Sequence, residues 1–109
     1  MRNRYTVDIT TCAKKDIDDI WDFIARDNPD AANSLVQFLE EQIETLERFP
    51  LRCPPVPENE ILGTDYRQLL FGNYRIILKI LQSRVIIMRI VHQARMLDSS
   101  TILQRENPE

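Results

Sequence analysis

The sequence has only two cysteines, Cys12 and Cys53, far apart and outside any Cys-x-x-Cys pair. That spacing speaks against a zinc knuckle or a disulfide framework, and the two residues read as free thiols of a reducing cytoplasm. There is a single histidine, His92, and the cluster Asp16, Asp18, Asp19 and Asp22 reads as a solvated helix face rather than a metal site, so no metal or other cofactor is expected. No apolar run approaches the roughly 20 residues of a membrane-spanning helix. The opening MRNRYTVDIT has no apolar stretch of the kind that drives secretion. Internal repeats and low-complexity segments are absent as well. What is left is 109 residues, 43% hydrophobic and 28% charged, which fits one domain spanning 1–109 with a core of its own.

The formal net charge of −3 conceals a division. Residues 1–60 hold seven basic and thirteen acidic side chains, whereas residues 61–109 hold seven basic and four acidic ones. The second half is a positive surface on an acidic body. It suits an anionic partner at one place without making the chain a general polyanion binder.

That second half contains the densest strand-forming material, DYRQLLFGNYRIILKILQSRVIIMRIVHQAR, from Asp65 to Arg95. Runs at Tyr66–Phe71, Tyr74–Leu81 and Arg84–Val91 are separated by Gly72-Asn73 and Gln82-Ser83, pairs that suit two-residue hairpin turns. An antiparallel three-stranded meander follows. Strict alternation places Tyr74, Ile76, Leu78 and Ile80 on one face with Ile86, Met88 and Ile90. The opposite face then mixes Ile77, Val85, Ile87 and Val91 with Arg75, Lys79 and Arg89. A solvated face alternates to polar more cleanly than this. Either a partner lies on it, or a C-terminal tail or a sister subunit covers it.

Upstream, Tyr5–Thr10 alternates as a short strand, and Thr10 or Thr11 is placed to cap a helix. Ile17, Ile20, Trp21 and Ile24 fall on one helical face, with Asp16, Asp18, Asp19 and Asp22 on a solvated outer face. Asn28-Pro29 ends this helix and starts the next, whose stripe runs from Ala32 to Leu46 before Pro50 stops it. The two helices form an antiparallel hairpin. Pro50, Pro54, Pro55 and Pro57 make a stiff connection to the meander. A short helix within Met96–Gln104 completes an α+β order β-α-α-β-β-β-α, a helical hairpin packed on a mainly antiparallel four-stranded sheet.

This order, together with Ile24–Ala32 at the helix joint, Leu46–Pro50, Tyr66-Arg67-Gln68-Leu69, Gly72–Ile77 and Arg89–Arg95, resembles the RelE/ParE superfamily of bacterial type II toxins. The resemblance covers nearly the whole chain. It implies a cytoplasmic toxin of a plasmid-stabilising module, neutralised by a cognate antitoxin in a hetero-oligomer that meets DNA only through the antitoxin or the target. Members of the superfamily divide into ribosome-dependent mRNA endonucleases, similar to RelE, and inhibitors of DNA gyrase, similar to ParE.

A ribonuclease needs cations on the scissile phosphate and groups that move protons. On that reading Arg67, Arg75, His92 and Arg95 are the catalytic candidates. Arg75 and Arg95 match the two arginines of the RelE pattern, and Arg67 falls at a lysine position. Leu69 stands where RelE has a further basic residue, and no tyrosine follows Tyr74. His92 at the strand end serves either as an acid–base group or structurally, and the His-x-x-Arg ending resembles ParE. Arg75 and Arg95 serve either in function or in pairing with acidic residues of the helices. The expectation is a ParE-like inhibitor of gyrase, contacting its target through Arg67, Arg75 and Arg95. Its antitoxin is expected on Arg75, Ile77, Val85, Ile87, Arg89 and Val91 and in the groove beside the helical hairpin.

Overall fold

A computed structural model describes residues 4–97. Strands β1 (Thr6–Ile9), β2 (Arg67–Phe71), β3 (Tyr74–Leu81) and β4 (Arg84–His92) form one sheet in the order β1-β4-β3-β2. β4 is parallel to β1 and antiparallel to β3, which is antiparallel to β2. A parallel pair requires a long crossover. Helices α1 (Thr11–Ala25) and α2 (Pro29–Glu44) supply much of it, followed by two short 3-10 turns and a single-turn α3 (Asn59–Leu62). The α+β hairpin-on-sheet expectation holds. The helix expected within Met96–Gln104 falls almost wholly outside the described residues.

Local chemistry sets most of the boundaries. Thr10 is extended (φ −67°, ψ 160°), and its hydroxyl oxygen accepts from the Ala13 amide at 3.1 Å. The same hydroxyl donates to the Met88 carbonyl at 2.9 Å, so the cap of α1 is also a tie to β4. Asn28 caps α2 through the Ala31 amide, with Pro29 at the first helical position. Gly72 (φ +55°) opens the β2–β3 turn and Gln82 (φ +55°) the β3–β4 turn. A glycine takes that conformation without a Cβ clash, whereas a glutamine is strained there.

The third strand departs from strict alternation. Ile77 lies opposite Arg89 and Leu78 opposite Ile87, so Met88 has no partner of its own and β4 carries a bulge. Val85 and Ile87 therefore join Ile90 beneath the helices, with Leu39, Ile43, Leu46, Ile76 and Leu78. Ile86, Met88 and Val91 lie on the other side with Ile77. This corrects the expected faces: Val85 and Ile87 are 0% exposed core residues, not part of an open surface.

The second face is not open either. Val56 of the proline-rich connection, Tyr66 and Leu97 pack over Ile77, Met88 and Val91. Among the described residues the sheet is thus covered on both sides, by the helical hairpin and by the connection with the segment after β4. No helix among the described residues is long and apolar enough to cross a membrane.

Candidate functional site

The polar residues of interest gather where β2 and β3 meet the segment after β4. Arg75 is at the centre, on β3 opposite Leu70 of β2. Its side chain is 6% exposed and that of Glu58 is 2% exposed. The guanidinium donates from Nη1 to Glu58 Oε1 at 3.0 Å and from Nη2 to Glu58 Oε2 at 2.5 Å. Nη1 also reaches Gln68 Oε1 (2.9 Å), and Nη2 reaches the Arg95 carbonyl (2.7 Å). Arg75 Nε, also buried, has no partner. Glu58 Oε2 accepts in addition from the Leu97 amide at 3.1 Å. The Arg75 hydrogen bonds hold the Glu58 carboxyl down, from 4.5 to about 2, against the opposing effect of burial and with help from the Leu97 N–H.

The other expected catalytic and target-binding residues are arranged differently. Arg67 donates to the carbonyls of Cys53 (2.7 Å) and Leu51 (3.3 Å), fastening β2 to the connection. His92 is exposed, edge-on to Tyr74 with ring centroids 5.7 Å apart, and its Nδ1 accepts from the Ala94 amide at 3.1 Å. Leu69 is half-buried against the core under the helices. The Arg95 side chain is exposed, with no polar partner among the described residues. It lines a cavity of about 220 Å³ with Leu70, Arg75, Gln93 and Met96. Leu70 and Met96 are 53% and 65% exposed, so an accessible cation stands beside apolar surface.

Arg89, expected to meet an antitoxin, instead makes a bidentate pair with Asp16 of α1, at 2.7 and 2.8 Å. Asp16 Oδ2 also accepts from the Ile90 amide at 2.9 Å. Asp16 is therefore not part of a solvated acidic face; it ties α1 to β4 just past the bulge. Lys15 and Asp19, one turn apart, form an exposed surface pair of the usual kind. Burial pushes the Cys53 thiol pKa up, partly offset by Arg52 and Arg67, which leaves it a packing residue rather than a nucleophile. No group of three or more His, Cys, Asp or Glu among the described residues is arranged to hold a metal ion.

The family model for the ParE toxin of the type II toxin–antitoxin system parDE matches residues 7–97. The chain belongs to the ParE toxin family. A chromosomal ParDE toxin–antitoxin system of Pseudomonas aeruginosa has the same fold, with 21% identity and a TM-score of 0.65 over 82% of this chain and 96% of that one. The RelBE2 toxin–antitoxin complex of Mycobacterium tuberculosis is similar at 28% identity and a TM-score of 0.55, covering 87% and 98%. No curated protein matches the chain.

This ParE-family toxin puts Arg67 and Arg75, two of the site candidates read from sequence, to structural use. Glu58, the carboxylate partner of Arg75, was not among the candidates read from sequence. Glu58 and Glu60 both stand in the run Pro57–Ile61, and composition does not tell which one turns inward. The backbone path of the connection makes that choice.

Proposed function

We propose that this toxin arrests DNA gyrase and is held in check by a cognate antitoxin, as the ParE branch of the superfamily does. The observation that carries this reading is the condition of Arg75. A ribonuclease must bring desolvated, unneutralised cations to a scissile phosphate and supply a proton acceptor beside them. Here Arg75 is buried and already paired with a carboxylate. Arg67 is engaged by main-chain carbonyls, and Leu69 offers no proton-transfer group. Arg95 and the solvent-facing His92 remain, a poor set for phosphate chemistry but compatible with a contact to an acidic protein surface. The acidic net charge also disfavours a grip on ribosomal RNA, which phosphate neutralisation would dominate.

The antitoxin takes a different place from the one expected on Ile77, Val85, Ile87 and Val91, because those side chains are filled-in core. The groove beside the helical hairpin remains. Val7, Ile9 and Ile43 floor a cavity of about 200 Å³ between β1 and α2, rimmed by Glu40, Glu44 and Glu47. It suits an apolar anchor on a segment carrying basic residues, which orders on binding. Val7→Asp should weaken the complex at least tenfold while toxicity persists; unchanged affinity would move the antitoxin elsewhere.

Expression without antitoxin should induce the DNA-damage response and filamentation while protein synthesis continues at first. Immediate arrest of translation with normal DNA supercoiling would replace this reading with the ribonuclease one.

A further inference from the structure

Four chain segments converge on one buried ion pair. Glu58 belongs to the proline-rich connection, Arg75 to β3, Gln68 to β2, and Arg95 and Leu97 to the segment leaving β4. A turn closed by the Arg95 amide on the His92 carbonyl (3.0 Å) bends the chain away from the sheet. The Arg95 carbonyl is then held by Arg75 and the Leu97 amide by Glu58. The backbone is pinned on both sides of Met96, and the Leu97 side chain is sunk into the second core. Between these pins Arg95 and Met96, both exposed, line the cavity shared with Leu70.

We infer that Glu58 is a positioning residue of this toxin: together with Arg75 it fixes the path of residues 93–97 and so presents Arg95 and Met96 to the target. This rests on reading Arg95 as a target contact. The physical argument is one of specificity rather than stability. A buried ion pair contributes little net stability compared with well-packed apolar residues of similar volume. An apolar pair would fill the same space and keep the sheet closed. It would offer no acceptor to the Leu97 N–H and no donor to the Arg95 carbonyl, and the segment would lose both pins. The orphaned Arg75 Nε points the same way: the guanidinium is placed by its four Nη contacts to neighbouring segments, with one donor left unsatisfied in exchange.

Two variants separate positioning from folding. Glu58→Gln replaces one carboxylate oxygen with an amide donor, which then faces donors from Arg75 or Leu97. The double variant Glu58→Leu/Arg75→Met removes both charges and keeps the volume. Each is measured for thermal unfolding, for amide hydrogen exchange, for growth arrest when expressed without antitoxin, and for inhibition of gyrase supercoiling. We expect the double variant to melt within a few degrees of wild type and the Ile76 and Ile87 amides to stay protected in both variants. The Leu97 amide should exchange at least tenfold faster in both, and both toxicity and gyrase inhibition should fall at least tenfold. Affinity for the antitoxin should change less than threefold. A Leu97 amide that stays slow would overturn the inference, as would full toxicity with a fast one. A double variant that fails to fold would also overturn it, since the pair would then be a stability element. If wild type arrests growth yet leaves gyrase untouched, the target reading fails on its own, and exchange set against growth arrest still decides the role of Glu58.

Discussion

The buried Glu58–Arg75 pair makes acid stability a quantitative test of the geometry. The Glu58 carboxyl is held at about 2 in the folded chain against an ordinary 4.5. A folded-state pKa below the unfolded one stabilises the fold fully above the unfolded value, and that stabilisation is lost as pH falls toward the folded value. At about 1.4 kcal/mol per tenfold change in proton affinity, ionising this carboxyl rather than leaving it protonated favours the fold by roughly 3 kcal/mol near neutrality and by about 1 kcal/mol at pH 3. The chain should therefore lose about 2 kcal/mol between pH 6 and pH 3 through this one carboxyl. Other carboxylates titrate in the same window, so the comparison is with Glu58→Leu/Arg75→Met, which lacks the group and leaves the rest unchanged. Urea unfolding at pH 6, 4.5 and 3 measures both. With a slope on the order of 1 kcal/mol per molar urea, the wild-type midpoint should fall about 2 M further than that of the variant. Parallel pH profiles would mean that Glu58 titrates normally in the folded chain, which the observed contacts with Arg75 and Leu97 do not allow.

Three further perturbations probe other joints of the fold. Asp16→Ala removes the bidentate carboxylate from Arg89 and strips the Ile90 amide of its acceptor, and should cost about 3 kcal/mol in chemical unfolding. Thr10→Val keeps the shape of a fully buried side chain but removes both the cap and the donor to the Met88 carbonyl; a loss of about 1–3 kcal/mol is expected by the same assay. Gln82→Gly should stabilise by roughly 0.5–1 kcal/mol, because it relieves a left-handed backbone at the cost of glycine's extra unfolded-state entropy. A lowered melting temperature would show that the β3–β4 turn is not strained there.

Features written in local chemistry were legible in the sequence. Thr10 at the start of α1, Asn28-Pro29 at the helix joint and Gly72-Asn73 in the hairpin each act within a few residues of themselves. The bulge at Met88 was not legible, because Val85–Met88 is apolar on both sides and one extra residue there leaves no polar break in the pattern. The assignment of Val85 and Ile87 to an exposed face failed for that reason, and the connection and Leu97 cover the other face besides. Asp16 carried a usable signal. It lies three residues after Ala13 and four before Ile20, at the edge of the apolar stripe of α1, where a carboxylate can turn inward if a cation meets it. Of the candidate site, the arginines were found, and their occupation was not. An arginine among aliphatics on a strand implies a partner, but choosing Glu58 among so many acids depends on how the connection folds back.

We propose that the toxin acts on gyrase and has no nuclease chemistry of its own. The most direct test adds the purified chain, in parallel, to gyrase with relaxed plasmid and ATP, and to ribosomes programmed with a defined mRNA. We predict loss of supercoiling or trapping of gyrase-cleaved DNA, relieved by Arg95→Ala, with the mRNA left intact. Codon-specific cleavage of the mRNA, abolished by Arg75→Ala while supercoiling proceeds unhindered, would contradict it.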